Sequence, residues 1–441
     1  MERLTDGFFA DPLAGRLFPA LATGVQWGLE RTERALAALG DPHRAYATLH
    51  VGGTNGKGSV TSTLGAVMQK AGKRTGAYTS PHLCSIRERM LVDGVPIDEG
   101  RLIAYADEAS GPISDNGLSF FEAVTVLAML AFARENIEIA VMEVGLGGRL
   151  DSTNVIRPEV TAITNVAMDH ADYLGDTLEA IASEKAGILK AGVPFVTAEA
   201  RPSIRKVLHD WAISVGAPYT HVDEESIRNV TVTRDGTRLA VSTACWGDLS
   251  LSTPLVGHHQ AINAALSVGV LARMGESWRP SRTDLIDGIA SVVHPGRDEI
   301  RVIDGCTFLF DVAHNTAGVM SLVDTIDRLE LPRPLVALVG VLGDKDWRSM
   351  LPPLLSRTDA AYLTRPPTAP ADRQWDPVAA ADLVDSITLV RVVPEFREAL
   401  ERARRRAGEG TVVVTGSAHS VGPAMTLLGL DTLAGQGRFR L

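Results

Sequence analysis

His50-Val-Gly-Gly-Thr-Asn-Gly-Lys-Gly-Ser59 stands between the apolar run Ala47 to Val51 and a stretch of helical period carrying Val60, Leu64, Val67 and Met68. Strand, glycine-rich turn and helix in that order make a cradle for an anion. Gly52, Gly53, Gly56 and Gly58 let backbone N–H groups approach phosphate oxygens, Lys57 brings a point charge, and the helix N-terminus adds its dipole. The spacing departs from the standard Walker pattern, because the lead-in is shorter and Gly58 separates Lys57 from Ser59. A nucleotide phosphate is the expected occupant.

Outward from this turn, apolar runs alternate with helical stretches. Arg74 to Thr79, Ile137 to Val144, Val160 to Thr164 and Val193 to Val196 read as strands of a doubly wound, mainly parallel sheet. Val230 to Leu255 alternates apolar and polar residues and predicts a small antiparallel addition; helical period resumes over Gln260 to Met274. His294-Pro-Gly296 is turn chemistry, which sets the expected boundary between an ATP-binding domain, 1–294, and a smaller Rossmann-like α/β domain, 295–441. The strands of the second unit are expected at Glu299 to Val302, Thr307 to Phe310, Leu335 to Val339, Ala360 to Leu363, Leu389 to Val392 and Thr411 to Val414.

Composition narrows the function. With 441 residues, 45% hydrophobic and 22% charged, the chain is long enough for two cores. A net charge of −10 argues against a nucleic-acid surface, so any anionic ligand is held by local basic groups and helix termini. No apolar run reaches the length of a membrane span, and Asp6, Asp11 and Glu30 interrupt the opening segment, unlike a signal peptide. A cytoplasmic protein without membrane partners is expected. Cys84, Cys245 and Cys306 have neither disulfide-framework nor zinc spacing.

Chemistry-bearing residues collect at strand ends. Glu143 closes one apolar strand beside the phosphate turn, where a Mg²⁺ ligand belongs, and Ser80 ends another. Asp169 and His170 follow a third. Asp176-Thr-Leu-Glu179 reads as a capping box opening a helix that contains Lys185, which from spacing alone is a solvated lysine paired with a carboxylate one turn away. In the second unit Asp311, His314 and Asn315, then Gly343-Asp-Lys-Asp346, then Thr415-Gly-Ser-Ala-His419 each follow a strand. Two such facing edges imply an active cleft between domains.

Taken in order, the motifs resemble the folylpolyglutamate synthase/dihydrofolate synthase branch of the Mur-type ATP-dependent amide ligases. The resemblance spans nearly the whole chain, from Gly28-Leu-Glu-Arg31 and the phosphate turn through Thr79-Ser-Pro-His-Leu83, Phe120-Phe-Glu122, Glu143 to Asn154, Glu184-Lys-Ala-Gly187 and Pro295-Gly-Arg297 to Thr415-Gly-Ser417. It implies a Mur-ligase-like fold and glutamylation of dihydropteroate or a reduced folate through an acyl phosphate. By similarity, Thr54, Asn55, Gly56, Lys57, Gly58 and Ser59 hold ATP phosphates, and Asn263, Arg297 and Asp311 reach ATP from the far side. Ser80, Glu143 and His170 would hold Mg²⁺, and Lys185 matches a family lysine that carries a CO₂-derived, metal-compatible carbamate. Phe120, Phe121, Glu122, Leu150, Asp151 and Ser152 match pterin-binding segments; His314 and Ser417 are candidates for positioning L-glutamate. Lys57, His170, Lys185, Arg297 and His314 form the expected catalytic set.

Asp298, Thr316 and Ala418-His419 depart from the family pattern, all in the second unit. The alternatives are a paralogue that ligates another carboxylate and a non-catalytic ATP-binding switch; peptidoglycan-type ligases carry a further domain ahead of the turn. All motifs for one site lie in one chain, so a monomer suffices.

Overall fold

Parallel pairing brings the polar strand ends to one edge. The computed structural model describes residues 11–18, 26–384 and 386–430; Asp6 and the outer limits of the two expected domain ranges lie outside the described residues. An eight-stranded sheet is built from β1 (Ala47–Gly52), β2 (Thr75–Tyr78), β3 (Met90–Val92), β4 (Val95–Pro96), β5 (Ile139–Glu143), β6 (Val160–Ile163), β7 (Phe195–Thr197) and β8 (Tyr219–His221). Its order is β4-β3-β2-β5-β1-β6-β7-β8, parallel except for β3 and β4. Register aligns Val51 with Glu143, Gly52 with Ile163 and Tyr78 with Met142. The phosphate turn, Glu143, Ser80 and the segment after Ile163 therefore emerge side by side.

Strand β1 is buried from Thr48 to Gly52, as both-face coverage by helices requires of a central parallel strand. The helix Lys57–Lys70 packs Val60, Leu64, Val67 and Met68 into one core with Leu49 and Val51. On the other side of the sheet, the helix Phe120–Arg134 is apolar nearly all round and lies in a second core with Tyr78, Ala140 and Met142. The alternating segment forms an antiparallel sheet of β9 (Arg228–Thr233), β10 (Gly236–Thr243) and β11 (Gly247–Thr253). Its Leu239, Val241, Leu249 and Leu251 cover the first core.

The second unit holds β12 (Glu299–Ile303), β13 (Cys306–Phe310), β14 (Leu335–Val339), β15 (Ala360–Leu363), β16 (Leu389–Val392) and β17 (Thr411–Thr415). Their order is β12-β13-β17-β14-β15-β16, parallel apart from the β12–β13 hairpin. This is a Mur-ligase-like mixed α/β architecture. One local expectation is corrected: Thr177, not Asp176, caps the helix Leu178–Ala186, its hydroxyl accepting Ala180 N–H. A capping box from Asp176 to Glu179 does not form, because Asp176 precedes the cap. Thr316 occupies the first position of the helix Thr316–Arg328, with Asn315 as its cap. Proline suits that position because its N–H has no helical partner, and threonine is accommodated there for the same reason.

Candidate active site

The phosphate turn is built by contacts that only glycine permits. Gly53 has φ +134°, and a Cβ there would lie 1.9 Å from Thr164 Oγ1. Gly56 caps the helix at φ +83°, with Asn263 Oδ1 2.6 Å from the place a Cβ would occupy. The helix begins at Lys57, two residues before its expected start, so the cationic side chain springs from the positive helix end. Lys57 Nζ donates to Thr54 C=O at 3.1 Å. Thr54, Asn55, Gly56, Lys57, Gly58 and Ser59 all line one cavity.

Glu143, Ser80 and His170 line the same cavity. Glu143 is buried and accepts Ser80 N–H at 3.1 Å; burial raises its carboxyl above the usual range, against the pull of Lys57 and Arg297. His170 sits in the left-handed region at φ 52°, uncommon for a non-glycine residue. Burial, then Lys345, lowers its ring to about 4. Among the described residues no three His, Cys, Asp or Glu side chains form a closed cage. Magnesium beside a nucleotide takes one or two carboxylates and completes its shell with phosphate and water. A buried carboxylate, a serine and a neutral imidazole around a phosphate cradle are a donor set of that kind.

Lys185 is not the solvated lysine its spacing suggests. It is buried, donates to Gly53 C=O at 2.9 Å and faces the cavity, while Glu184 pairs with Arg149 at 2.9 Å on the outer face. Burial, with Lys57 nearby, lowers its amine to about 7. Helical direction chose which of two adjacent residues points inward, and spacing could not.

The second unit closes the cavity with Arg297, Asp311 and His314. Arg297 Nε lies 3.3 Å from His294 Nε2, and His294 in turn meets Ser62 Oγ at 3.1 Å. His294 Nε2 also lies 2.5 Å from the place a Cβ on Gly58 would occupy, so the connection between units rests directly on the phosphate turn. Asp311 accepts the N–H groups of Asp298 and Ala313 at 3.0 and 2.8 Å. Asp298 itself is fully buried at φ 48°, its carboxyl pushed well above the usual range by burial and by Asp311. The family departure at Asp298 thus places two acids against each other behind Arg297.

Across the seam, Asp169 gathers basic side chains. Lys345 Nζ stands 2.6 Å from its Oδ1, and His314 Nε2 3.3 Å from its Oδ2. His314 Nδ1 donates to Val312 C=O at 2.9 Å. Asn315 donates to Asp169 and to Asn55, each at 3.0 Å. Burial works against the charge of Asp169, but His314, Lys345 and His170 together hold it well below the usual carboxylate range. Lys345 was visible in the Asp344-Lys-Asp346 motif, yet no local signal tied it to Asp169, 176 positions away. Both side chains of the pair are buried, so Lys345→Met strands a charge and is expected to lower unfolding free energy by about 3 kcal/mol. Denaturant titration reads this; an unchanged midpoint would show that the seam does not depend on the pair.

Several expected site residues have other immediate partners. Glu122 Oε1 accepts Arg31 at 2.8 Å and Oε2 accepts the N–H and hydroxyl of Ser119 at 2.8 and 2.7 Å. Asp151 accepts the N–H groups of Gly145, Leu146 and Thr153, and Ser152 donates to Thr125 at 3.3 Å. Phe120 is buried edge-on to Phe18, with ring centroids 5.6 Å apart. Phe121 and Leu150 are half-buried. None of these six lines the cavity. Nor does Ser417: its hydroxyl donates to Gly340 C=O at 2.9 Å, tying β17 to β14. Asn263 stands over Gly56 and also lies outside the cavity lining.

The geometry meets independent likenesses. Residues 51–271 match the Mur ligase middle domain and residues 296–419 the Mur ligase, glutamate ligase domain. The folylpolyglutamate synthase of Lacticaseibacillus casei is 31% identical over 428 residues, covering 93% of this chain and 96% of the relative. The dihydrofolate synthase/folylpolyglutamate synthase of Escherichia coli is 33% identical over 407 residues, covering 92% of each. Among solved structures, E. coli FolC in complex with DHPP and ADP superposes with a TM-score of 0.83 at 32% identity, over 95% of this chain and 98% of that one. Phosphate turn, buried strand-end acid, buried lysine and second-unit wall thus occur together in a chain that belongs to the Mur ligase family, in its folylpolyglutamate synthase/dihydrofolate synthase branch.

Proposed function

We propose that this cleft joins L-glutamate by an amide bond to a pterin-bearing acid, dihydropteroate or a reduced folate or both, with ATP converted to ADP and phosphate. The observation that carries this reading is a single cavity lined by the phosphate turn and Lys185 from one unit and by Arg297, Asp311 and His314 from the other. The E. coli relative, which shares this architecture, was solved with DHPP and ADP.

In the first step a carboxylate oxygen attacks the γ-phosphorus, the bond to the bridging oxygen breaks, and ADP leaves. Thr54 to Ser59 hold the phosphates, and Lys57 and Arg297 neutralise charge on the transferring group from opposite sides. In the second step the neutral amine of glutamate attacks the acyl carbonyl, and phosphate departs as the amide forms. His314, which lines the cavity from the second unit, is the candidate for positioning glutamate. Ser80, Glu143 and His170 would hold Mg²⁺, which would supply charge neutralisation for the nucleotide phosphates. Lys185, able to shed its proton near neutrality, is suited to capture CO₂ as a carbamate. No helix among the described residues is long and apolar enough to cross a membrane. We place the enzyme in the cytoplasm as a monomer.

The test is phosphate release with ATP, Mg²⁺ and L-glutamate, comparing dihydropteroate with tetrahydrofolate and weighing the products. Glutamylation of both establishes a bifunctional enzyme, and of one assigns its step. Turnover with neither would overturn the folate reading in favour of another carboxylate, and tight ATP binding with no turnover on any acid would favour the switch.

A further inference from the structure

The turn that carries Arg297 is pinned on both sides of that residue. Before it, Gly296 at φ +69° donates its N–H to Glu299 Oε2 at 2.8 Å, and its carbonyl accepts Val312 N–H at 3.1 Å. After it, Asp298 at φ 48° donates its N–H to Asp311 Oδ2 at 3.0 Å. The left-handed region is uncommon for a residue with a side chain and persists where surrounding contacts over-determine it. At Asp298 the further contact is made by the carboxyl, which is fully buried and stands 2.7 Å from Thr325 Oγ1 on the helix Thr316–Arg328. Arg297 and Asp298 both line the cleft, with His259, Asp311 and Ser321 around them.

The hydrogen bonds of Thr325 identify the form of this acid. Thr325 Oγ1 also lies 3.1 Å from Ser321 C=O, one helical turn back. A carbonyl oxygen only accepts, and a threonine hydroxyl has one proton to give. Both contacts are satisfied when that proton goes to Ser321 and Asp298 Oδ2 carries its own, donated to Thr325. An ionised carboxylate would compete for the single hydroxyl proton, and its Oδ1, buried without a partner, is a costly place for charge. Asp311, by contrast, accepts two backbone N–H groups and is the member of the pair equipped to hold charge. Burial, and Asp311 after it, raise the Asp298 carboxyl in the same sense. His259 Nε2, 4.0 Å from Asp298 Oδ2, brings no compensating charge, because burial and then Arg297 lower its ring to about 4.

We propose that Asp298 is a positioning residue whose bond to Thr325 fixes the turn that presents Arg297 to the terminal phosphate of ATP. This rests on the role given above to Arg297. As a neutral acid, Asp298 anchors the turn without setting a second negative charge behind the guanidinium, where it would oppose an incoming phosphate. Asp298 is also a place where the chain departs from its family pattern, so the anchor is a property of this chain rather than of the fold.

The experiment is equilibrium binding of ATP and of ADP to the full chain, with Mg²⁺ and with neither acid nor glutamate, so that no reaction step is required. A misplaced Arg297 is felt at the phosphate that ADP lacks. Arg297→Ala sets the scale and is expected to weaken ATP relative to ADP by roughly tenfold or more. Asp298→Ala and Thr325→Val should each weaken ATP about tenfold and leave ADP within about twofold. The double variant should be no weaker than either, and neither change should weaken ATP further in the Arg297→Ala background. Asp298→Asn, whose amide can donate to Thr325 in place of the acid proton, should bring ATP binding back to within about twofold of wild type. Circular dichroism checks folding, and Thr325→Val, which preserves side-chain shape, carries the test if Asp298→Ala does not fold. ATP and ADP weakened equally would make the bond merely structural and overturn the inference. So would additive losses, or an Asp298→Asn variant as weak as Asp298→Ala. Equal effects of Arg297→Ala on ATP and ADP would remove the role of Arg297 and the inference with it. Absence of glutamylation in the assay above, with these binding changes present, would sink the folate reading and leave the positioning role standing.

Discussion

Lys57→Met is expected to lower kcat/KM for ATP by about three orders of magnitude while leaving the fold intact. The ammonium makes one hydrogen bond, to Thr54 C=O within its own turn, and is half-buried in the cavity. Methionine keeps the packing of the stem and removes the charge from the place where phosphate charge must be met. A second effect follows from its neighbours. Lys57 is a cause of both the lowered amine of Lys185 and the moderated carboxyl of Glu143, so the variant should raise the pKa of each. Initial rates over varied ATP, with circular dichroism to check folding, provide the measurement. A loss smaller than tenfold would show that backbone N–H groups and Arg297 suffice without this cation.

Lys185→Met is expected to abolish turnover to within about 1% of wild type, and its effect on stability should depend on pH. The folded amine titrates at about 7 against 10.5 for the free group, because burial disfavours its charge. Between those values the unfolded chain binds more protons than the folded one, so stability rises with pH. The penalty is fully present below pH 7 and is relieved as pH climbs towards 10.5. Its full size is on the order of 4–5 kcal/mol. The methionine variant carries no such penalty, so denaturation midpoints at pH 6 should exceed those of wild type, with the gap closing at high pH. Carbamate formation consumes the neutral amine, so bicarbonate should stimulate wild type more at pH 8 than at pH 6, and ¹³CO₂ should label Lys185. A stability difference independent of pH would show that the buried lysine is not neutralised in this way.

Lys185 also marks the limit of what spacing conveys. The turn His50 to Ser59, the central strands beside it and the inner strands of the second unit are legible as short apolar runs closed by polar or small residues, while the edge strands β12 and β16, with Arg301 and Arg391 inside them, show instead as alternating patterns. Helix caps were less so, since Thr177 and Asp176 are both good caps and only the chain's entry angle selects between them. Strand-end acids were readable because a parallel sheet puts every carboxyl-terminal strand end on one edge. Glu143 beside Val51 is that rule applied.

The outer strands β3, β4 and β8 of the first sheet were not legible. What the sequence by itself determined is therefore the plan of two α/β units with a small antiparallel sheet, the phosphate turn and the set of polar strand ends. Those follow from local periodicity and from the geometry of parallel pairing. Tertiary structure alone decided which charges meet and which way they face. It pairs Lys345 with Asp169 across the seam, buries Lys185 against Gly53, and turns Ser417 away to Gly340. It also surrounds Glu122 and Asp151 with donors of the scaffold and leaves Trp27 and Tyr173 exposed together. The physical reason is range: apolar pattern is written over a few neighbouring residues, whereas the protonation and partner of a side chain depend on desolvation and on charges brought from anywhere in the chain.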